Sequence, residues 1–386
     1  MLMGDRGGVL GRVTICVLVV LGLGGCATGR HGAHQTRGAR LHEVASRRVP
    51  AANTFLSLVP ACGCARHTEL DSFSTVTGKL THRLQAIRLP PVADVDAPAP
   101  QAHRGVMITV STGFRCAAHG TYAECPHIQP NSCTNEVLRA VPGAAPPVVA
   151  FTIPGRYEIN DAIPSPDGRS IALARSPCTT RNGPTDLVVR SSASGHDRAL
   201  FGRRNACDEI QRPAWNQTGG RLVFVYDQAR SKPDGGPAGG VRSCPPSRNQ
   251  IVTIAVGGSH RPIQRIPDER GCAYAAAAFD SRGVLAVEGC KQGGPRSVFG
   301  TNLGDGYLVQ FDAAGHRLQR WPLRRCVEQA LISAEPGTKR LLITQDLPAN
   351  NHEPEADWVW ELDGSHLRLI DHYRAQDAAQ VLAVGW

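Results

Sequence analysis

Several absences narrow the chemistry before any motif does. The chain has no Gly-x-Ser-x-Gly elbow, no His-Glu-x-x-His pair, no phosphate loop and no dinucleotide glycine fingerprint. Those gaps remove the usual signatures of serine hydrolases, zinc peptidases, P-loop enzymes and dehydrogenases. Lysine is scarce, occurring at Lys79, Lys232, Lys291 and Lys339. The net charge of +9 therefore rests on arginines, scattered singly instead of in aromatic-interleaved stripes. Such scatter argues against nucleic acid as a partner. Nor is there an apolar run long enough to span a bilayer, since Val13 to Leu23 falls short of the roughly 20 residues needed.

What is present is turn chemistry and sulfur. The 386 residues include 41 Gly and 28 Pro with 41% hydrophobic residues, a balance that favours short strands joined by many turns over long helices. The length is ample for a sizeable core. Thirteen cysteines are too many for idle thiols.

The N-terminus has its own pattern. Arg6 and Arg12 precede the apolar run, and Leu23-Gly24-Gly25-Cys26 follows it on small residues, as at an export cleavage site. This tetrapeptide resembles the lipobox of bacterial lipoproteins, which implies that Cys26 is diacylated and becomes the mature N-terminus. Residues 1–25 are then a signal peptide, and 26–50 an anchor and flexible basic tether. The tether carries Arg30, Arg37, Arg40, Arg47 and Arg48 against Glu43. Residues 51–386 form the domain, facing outward from a cell membrane. No cofactor is expected.

A recurrent phrase organises that domain: an apolar strand, a tight turn, then a second apolar strand. It spans Ala162–Leu173, Pro213–Val225, Ala277–Val287 and Leu331–Ile343. The fourth, around Ser333, reads as having a turn one residue longer. Pro-Asp-Gly and Gly-Gly supply the positive φ of tight turns. Each phrase is followed by a second hairpin, with strands Asp186–Arg190, Gln250–Val256, Tyr307–Phe311 and Asp357–Leu362 before turns at Gly195, Gly258, Gly315 and Gly364. Two hairpins make a four-stranded unit, and its repetition predicts an all-β propeller. Ser165-Pro166-Asp167-Gly168-Arg169 resembles the repeat of TolB-like β-propellers, whose tryptophan position Trp215 occupies once, while Pro164 and Phe279 depart from it.

Upstream, Arg104–Val110 and Glu136–Ala140 read as a diverged blade. Phe55–Leu58 and Phe73–Val76 read as one lacking its first strand, which Gln380–Trp386 supplies at the far end. Such a join closes the ring. The count is six blades, with seven as the alternative. Propellers of this kind also gate the hydrolase domain of prolyl-oligopeptidase-like enzymes, but no residues follow Trp386 here to build one, so no peptidase is expected.

Exported cysteines read as disulfides. Blade topology puts the loop after strand b and the crossover to the next blade on one face, which predicts pairs Cys178–Cys207, Cys244–Cys272 and Cys290–Cys326. Partners for Cys62, Cys64, Cys116, Cys125 and Cys133 are open. Cys116, His119, Cys125, His127 and Cys133 offer a zinc alternative without standard ligand spacing.

Aligned hairpins place Glu158, Glu209 and Glu328 at the start of inner strands, with Asn160 and Gln211 two residues on and Arg212 beside them. Asp94 and Asp96 fall nearby, whereas the equivalents in the next unit are Ala273 and Ala275. Two uses follow. One is a binding mouth on a membrane-anchored binding or assembly module for a protein or wall-derived ligand. The other is a calcium-dependent hydrolase resembling the lactonase-type propellers, which hold the ion with oxygen ligands in their channel.

Overall fold

The computed structural model describes residues 54–60, 67–88, 94–101, 105–111, 133–140, 148–155, 157–177, 185–202, 208–229, 247–258, 260–269, 271–290, 305–323, 329–335, 339–347, 356–374 and 383–385. Five sheets each use four consecutive strands. They are β4 (Asp94–Gln101), β5 (Gly105–Ser111), β6 (Cys133–Ala140) and β7 (Val148–Gly155); then β8 (Tyr157–Pro164), β9 (Ser170–Pro177), β10 (Asp186–Ser191) and β11 (Asp197–Phe201); then β12 (Glu209–Trp215), β13 (Arg221–Ala229), β14 (Ser247–Ala255) and β15 (Pro262–Pro267). Next come β16 (Cys272–Phe279), β17 (Gly283–Cys290), β18 (Asp305–Asp312) and β19 (Arg317–Pro322), followed by β20 (Gln329–Ala334), β21 (Arg340–Leu347), β22 (Ala356–Asp363) and β23 (His366–Arg374).

One further sheet is composite. β1 (Thr54–Pro60), β2 (His67–Ser74) and β3 (Leu80–Arg88) are completed by β24 (Ala383–Gly385), antiparallel to β1 with Leu56 facing Gly385 and Leu58 facing Ala383. The first strands touch in cyclic order, β24 to β4, β8, β12, β16, β20 and back to β24. The fold is an all-β propeller of four-stranded blades.

Turn chemistry explains the recurrent phrase. In the first instance Ser165 Oγ accepts from Ser170 N at 3.0 Å and donates to Asp167 Oδ1 at 2.6 Å, and Gly168 takes φ 70°. Asn216 Oδ1 does the same work for Arg221 N at 2.9 Å, with Gly219 at φ 71°. Asp280 closes the third turn, accepting from Arg282 N at 2.9 Å and Gly283 N at 2.7 Å. A Cβ on Gly283 would sit 2.3 Å from the Phe311 carbonyl oxygen, so only glycine lets β17 approach β18 there. The fourth turn corrects the sequence reading. Ala334 pairs with Leu341 much as Pro164 pairs with Ile171 and Trp215 with Leu222, so it is no longer than those two. The third, where Phe279 pairs with Val284, is the shorter one.

The core lies between sheets. Leu187, Leu200, Leu222, Phe224 and Val252 fill the wedge between the β8–β11 and β12–β15 sheets. Val225, Ile251, Ala277, Val284 and Val309 fill the next one. At the composite sheet, buried Phe55 and Phe73 stack at 5.6 Å and pack on Leu342 and Val359 of the β20–β23 sheet. Outer-strand side chains add a rim latch. Arg198 donates to the Val256 carbonyl, Gln264 to Ala313 at 3.0 Å, Trp321 to Ser365 at 3.0 Å and Arg368 to Thr75 at 3.0 Å. Each reaches the turn before the outer strand of a neighbouring sheet, and the last joins β23 to the composite sheet.

The cysteine pairing differs from the expectation. Cys272 opens β16, Cys290 ends β17, and the ladder sets them directly opposite each other, where they form a disulfide with Cα atoms 4.0 Å apart. Cys244–Cys272 and Cys290–Cys326 are thereby excluded in this structure. The sequence reading placed Cys272 in the crossover, but it is the first rung of the ladder. Cys178, Cys207, Cys244 and Cys326 lie outside the described residues, as does Cys26.

Candidate functional site

Ladder register decides which inner-strand residues share a row. Glu158 pairs with Ser176, Glu209 with Asp227, Ala273 with Gly289 and Gln329 with Asp346, each the same number of rungs from its turn. The expected equivalence of Glu158 and Glu209 is therefore present, as is the break at Ala273. In β20 the row falls on Gln329 and not on the expected Glu328. Inner strands β8, β12 and β16 each carry a bulge that inserts one residue, and β20 does not. Counting back the same number of residues in β20 overshoots by one and lands on position 328, whereas the ladder gives the row to Gln329. Glu328 itself lies outside the described residues, and Asp94 and Asp96 sit on β4.

Bulges also reassign the second row. Asn160 is the bulged residue of β8 and accepts from Ser176 Oγ at 3.2 Å. Asp161, facing Ala174, is the one that aligns with Gln211, facing Val225. Arg212 occupies the β12 bulge at φ 53°, the one non-glycine residue among the described residues with a left-handed backbone. That conformation turns its N–H onto Asp161 Oδ2 at 3.2 Å, and its Nη1 lies 3.8 Å from Asp161 Oδ1. The pair crosses from one sheet to the next.

A carboxylate cluster results. Burial pushes Glu209 up to about 7, the charge of Asp227 across the ladder and that of Asp161 push the same way, and Gln211 and Arg212 oppose them. Asp161 is also raised by burial, against the pull of Arg212. Asp227 is held by buried Asn249, whose Nδ2 donates to Asp227 Oδ1 at 2.9 Å while its Oδ1 accepts from Tyr274 N at 2.7 Å. Thus Asn249 links β14 to β16 of the neighbouring sheet. Of the residues singled out from the sequence, Glu209, Gln211 and Arg212 lie in this cluster, while Asp161, Asp227 and Asn249 were not singled out. The signal for Asp161 was the bulge, which shifts the polar row from 160 to 161; Asp227 needed the pairing of β12 with β13.

Chemically, this arrangement accepts protons and hydrogen bonds near neutral pH. Of the three carboxylates Glu209 is half-buried while Asp161 and Asp227 are buried, with Arg212 as the counter-charge described beside them.

The class is therefore a β-propeller with an acidic inner-strand cluster. No family model and no curated protein matches the chain. Among solved structures it is similar to the Pyrococcus horikoshii acylaminoacyl peptidase, at 16% identity and TM-score 0.43, over 72% of this chain and 39% of that one. It is also similar to the β-propeller domain of the trilobed protease from Pyrococcus furiosus, at 12% identity and TM-score 0.39, over 72% and 70%. A nidogen/laminin complex gives 11% identity and TM-score 0.46, over 86% and 97%. The chain thus spans well under half of the peptidase it resembles.

Proposed function

We propose that the protein is a binding module: a six-bladed, TolB-like propeller, lipid-anchored through Cys26 outside a bacterial membrane. It recognises a protein or wall-derived ligand bearing an amine, at the inner-strand face around Glu209. The six-blade reading draws support from the composite sheet and the cyclic contacts of the first strands. The observation that carries the ligand reading is the three-carboxylate cluster, in which burial and the charges of Asp227 and Asp161 push Glu209 up to about 7; an incoming ammonium would favour its ionised form. As a binder it turns nothing over.

Two measurements test this. Intact mass and fractionation after expression in a bacterial host read the anchor: a diacylated Cys26 in the membrane fraction, released by Cys26→Ala, is expected. An unmodified Cys26 would overturn the anchor. Calorimetric titration of the domain with wall-derived peptides, free or N-acetylated, reads the ligand. Binding of the free amines alone, weakened roughly tenfold by Glu209→Gln, is expected for the loss of one charge-assisted hydrogen bond. Equal binding of acetylated peptides would sink the amine reading.

A further inference from the structure

We infer that Cys272–Cys290 is a redox-active disulfide that exchanges electrons with a dithiol: Cys290 is the exchange sulfur, Arg320 holds its thiolate, and Glu288 carries the proton of Cys272. Three observations at the end of the β16–β17 ladder support this. Cys272 is only 8% exposed, while Cys290 is half-buried and so the more accessible sulfur. Arg320 Nη2 donates to Cys290 Sγ at 3.3 Å, and its guanidinium is fixed 3.3 Å from the centroid of the Tyr307 ring. The two sulfurs and a Glu288 carboxylate oxygen all lie within 4.8 Å of one another.

A disulfide that only braces a ladder needs neither a buried carboxylate nor a cation at its sulfurs. Glu288 has a side chain with no exposed surface, lies 3.3 Å from Arg317 and 3.4 Å from Arg320, and faces Tyr274, Asp268 and Glu269 as well. Burial raises its carboxyl, the two arginines oppose the rise, and the neighbouring acids add to it. A guanidinium beside a thiolate favours the reduced form and makes the disulfide a better electron acceptor.

The step balances as follows. A thiolate of the dithiol, its proton lost to water, attacks Cys290 Sγ and breaks the Cys272–Cys290 bond. The departing electron pair goes to Cys272. The second thiol of the dithiol then passes its proton by way of the Glu288 carboxylate to Cys272 and attacks its own partner sulfur, expelling the Cys290 thiolate beside Arg320. Two electrons have moved: the dithiol has become a disulfide, and the protein holds a Cys272 thiol and a Cys290 thiolate.

The test uses the full chain equilibrated in buffers of reduced and oxidised dithiothreitol. Thiols are trapped by alkylation, and the Cys272 and Cys290 peptides are quantified by mass spectrometry. The wild-type pair should titrate as one two-electron couple. Arg320→Gln should move the exchange constant about tenfold toward the disulfide, about 30 mV in midpoint, with Arg320→Lys restoring most of it. Glu288→Gln should slow exchange more than it moves the midpoint. Identical midpoints for wild type and Arg320→Gln would overturn the proposal, as would failure of the lysine variant to restore it or a Cys272 linked elsewhere.

Discussion

β12 and β16 are neighbouring inner strands with equivalent ladders, yet they handle charge in opposite ways. At the start of β12, Glu209 faces Asp227, and the counter-charge is the Arg212–Asp161 pair that reaches back to β8. At the start of β16 the same row holds Ala273, and polarity moves one strand outward to Glu288, neutralised within its own sheet by Arg317 and Arg320. A buried carboxylate must find a cation somewhere. In the first case the cation couples two blades and leaves Glu209 free to titrate; in the second it braces one blade. The inner face is therefore acidic on one side and apolar on the next, and a ligand would be read asymmetrically.

The comparison can be broken most severely at Glu288. Replacing both arginines, Arg317→Met with Arg320→Met, leaves that carboxylate buried without a cation. A loss of about 3 kcal/mol in urea unfolding is expected, with stability then rising as the pH falls and Glu288 protonates. A loss under about 1 kcal/mol would show that water reaches the site.

At Glu209 the sign is set by its raised folded value. The unfolded carboxyl titrates near 4.5 and the folded one near 7. The folded state thus holds its proton longer, and the stabilisation is complete below pH 4.5 and lost as the pH rises through 7. Glu209→Gln should remove this slope, flattening a change on the order of 2 kcal/mol between pH 4.5 and 7 in thermal or urea unfolding. An unchanged slope in the variant would assign it to other groups.

Arg212 sharpens the contrast further. Both Arg212→Gly and Arg212→Ala lose the side-chain pair with Asp161, but glycine adopts the left-handed backbone at no steric cost whereas alanine keeps the strain. The alanine variant should be the less stable by about 1 kcal/mol. Equal stabilities would mean the bulge relaxes in both. The smallest effect is expected at the rim, where Gln264→Ala removes one exposed hydrogen bond to Ala313 and should cost about 0.5 kcal/mol.

Much of this fold was legible because turns announce themselves. Ser165, Asn216 and Asp280 each cap a turn through a side-chain oxygen, Gly168 and Gly219 take the positive φ, and β24 pairs with β1 as the terminal sequence implied. Site register was less legible. A bulge adds a residue without any composition signal, so Asn160 stood in for Asp161 and Glu328 for Gln329. Cysteine pairing failed for a related reason. Whether Cys272 belongs to a crossover or to the first rung of a strand is a matter of one residue, and that residue decides its partner.

The composite sheet has a consequence in time. Residue 58 faces residue 383, so the pairing that completes this sheet closes the longest loop in the described molecule. Loop entropy opposes that contact more than any within the other sheets, which join strands close together in the chain. During synthesis the other sheets can assemble as their strands emerge, while β1 to β3 must wait with an unpaired edge until β24 is delivered. A chain halted just short of residue 383 would therefore carry nearly all of its core and still expose a strand open to other chains.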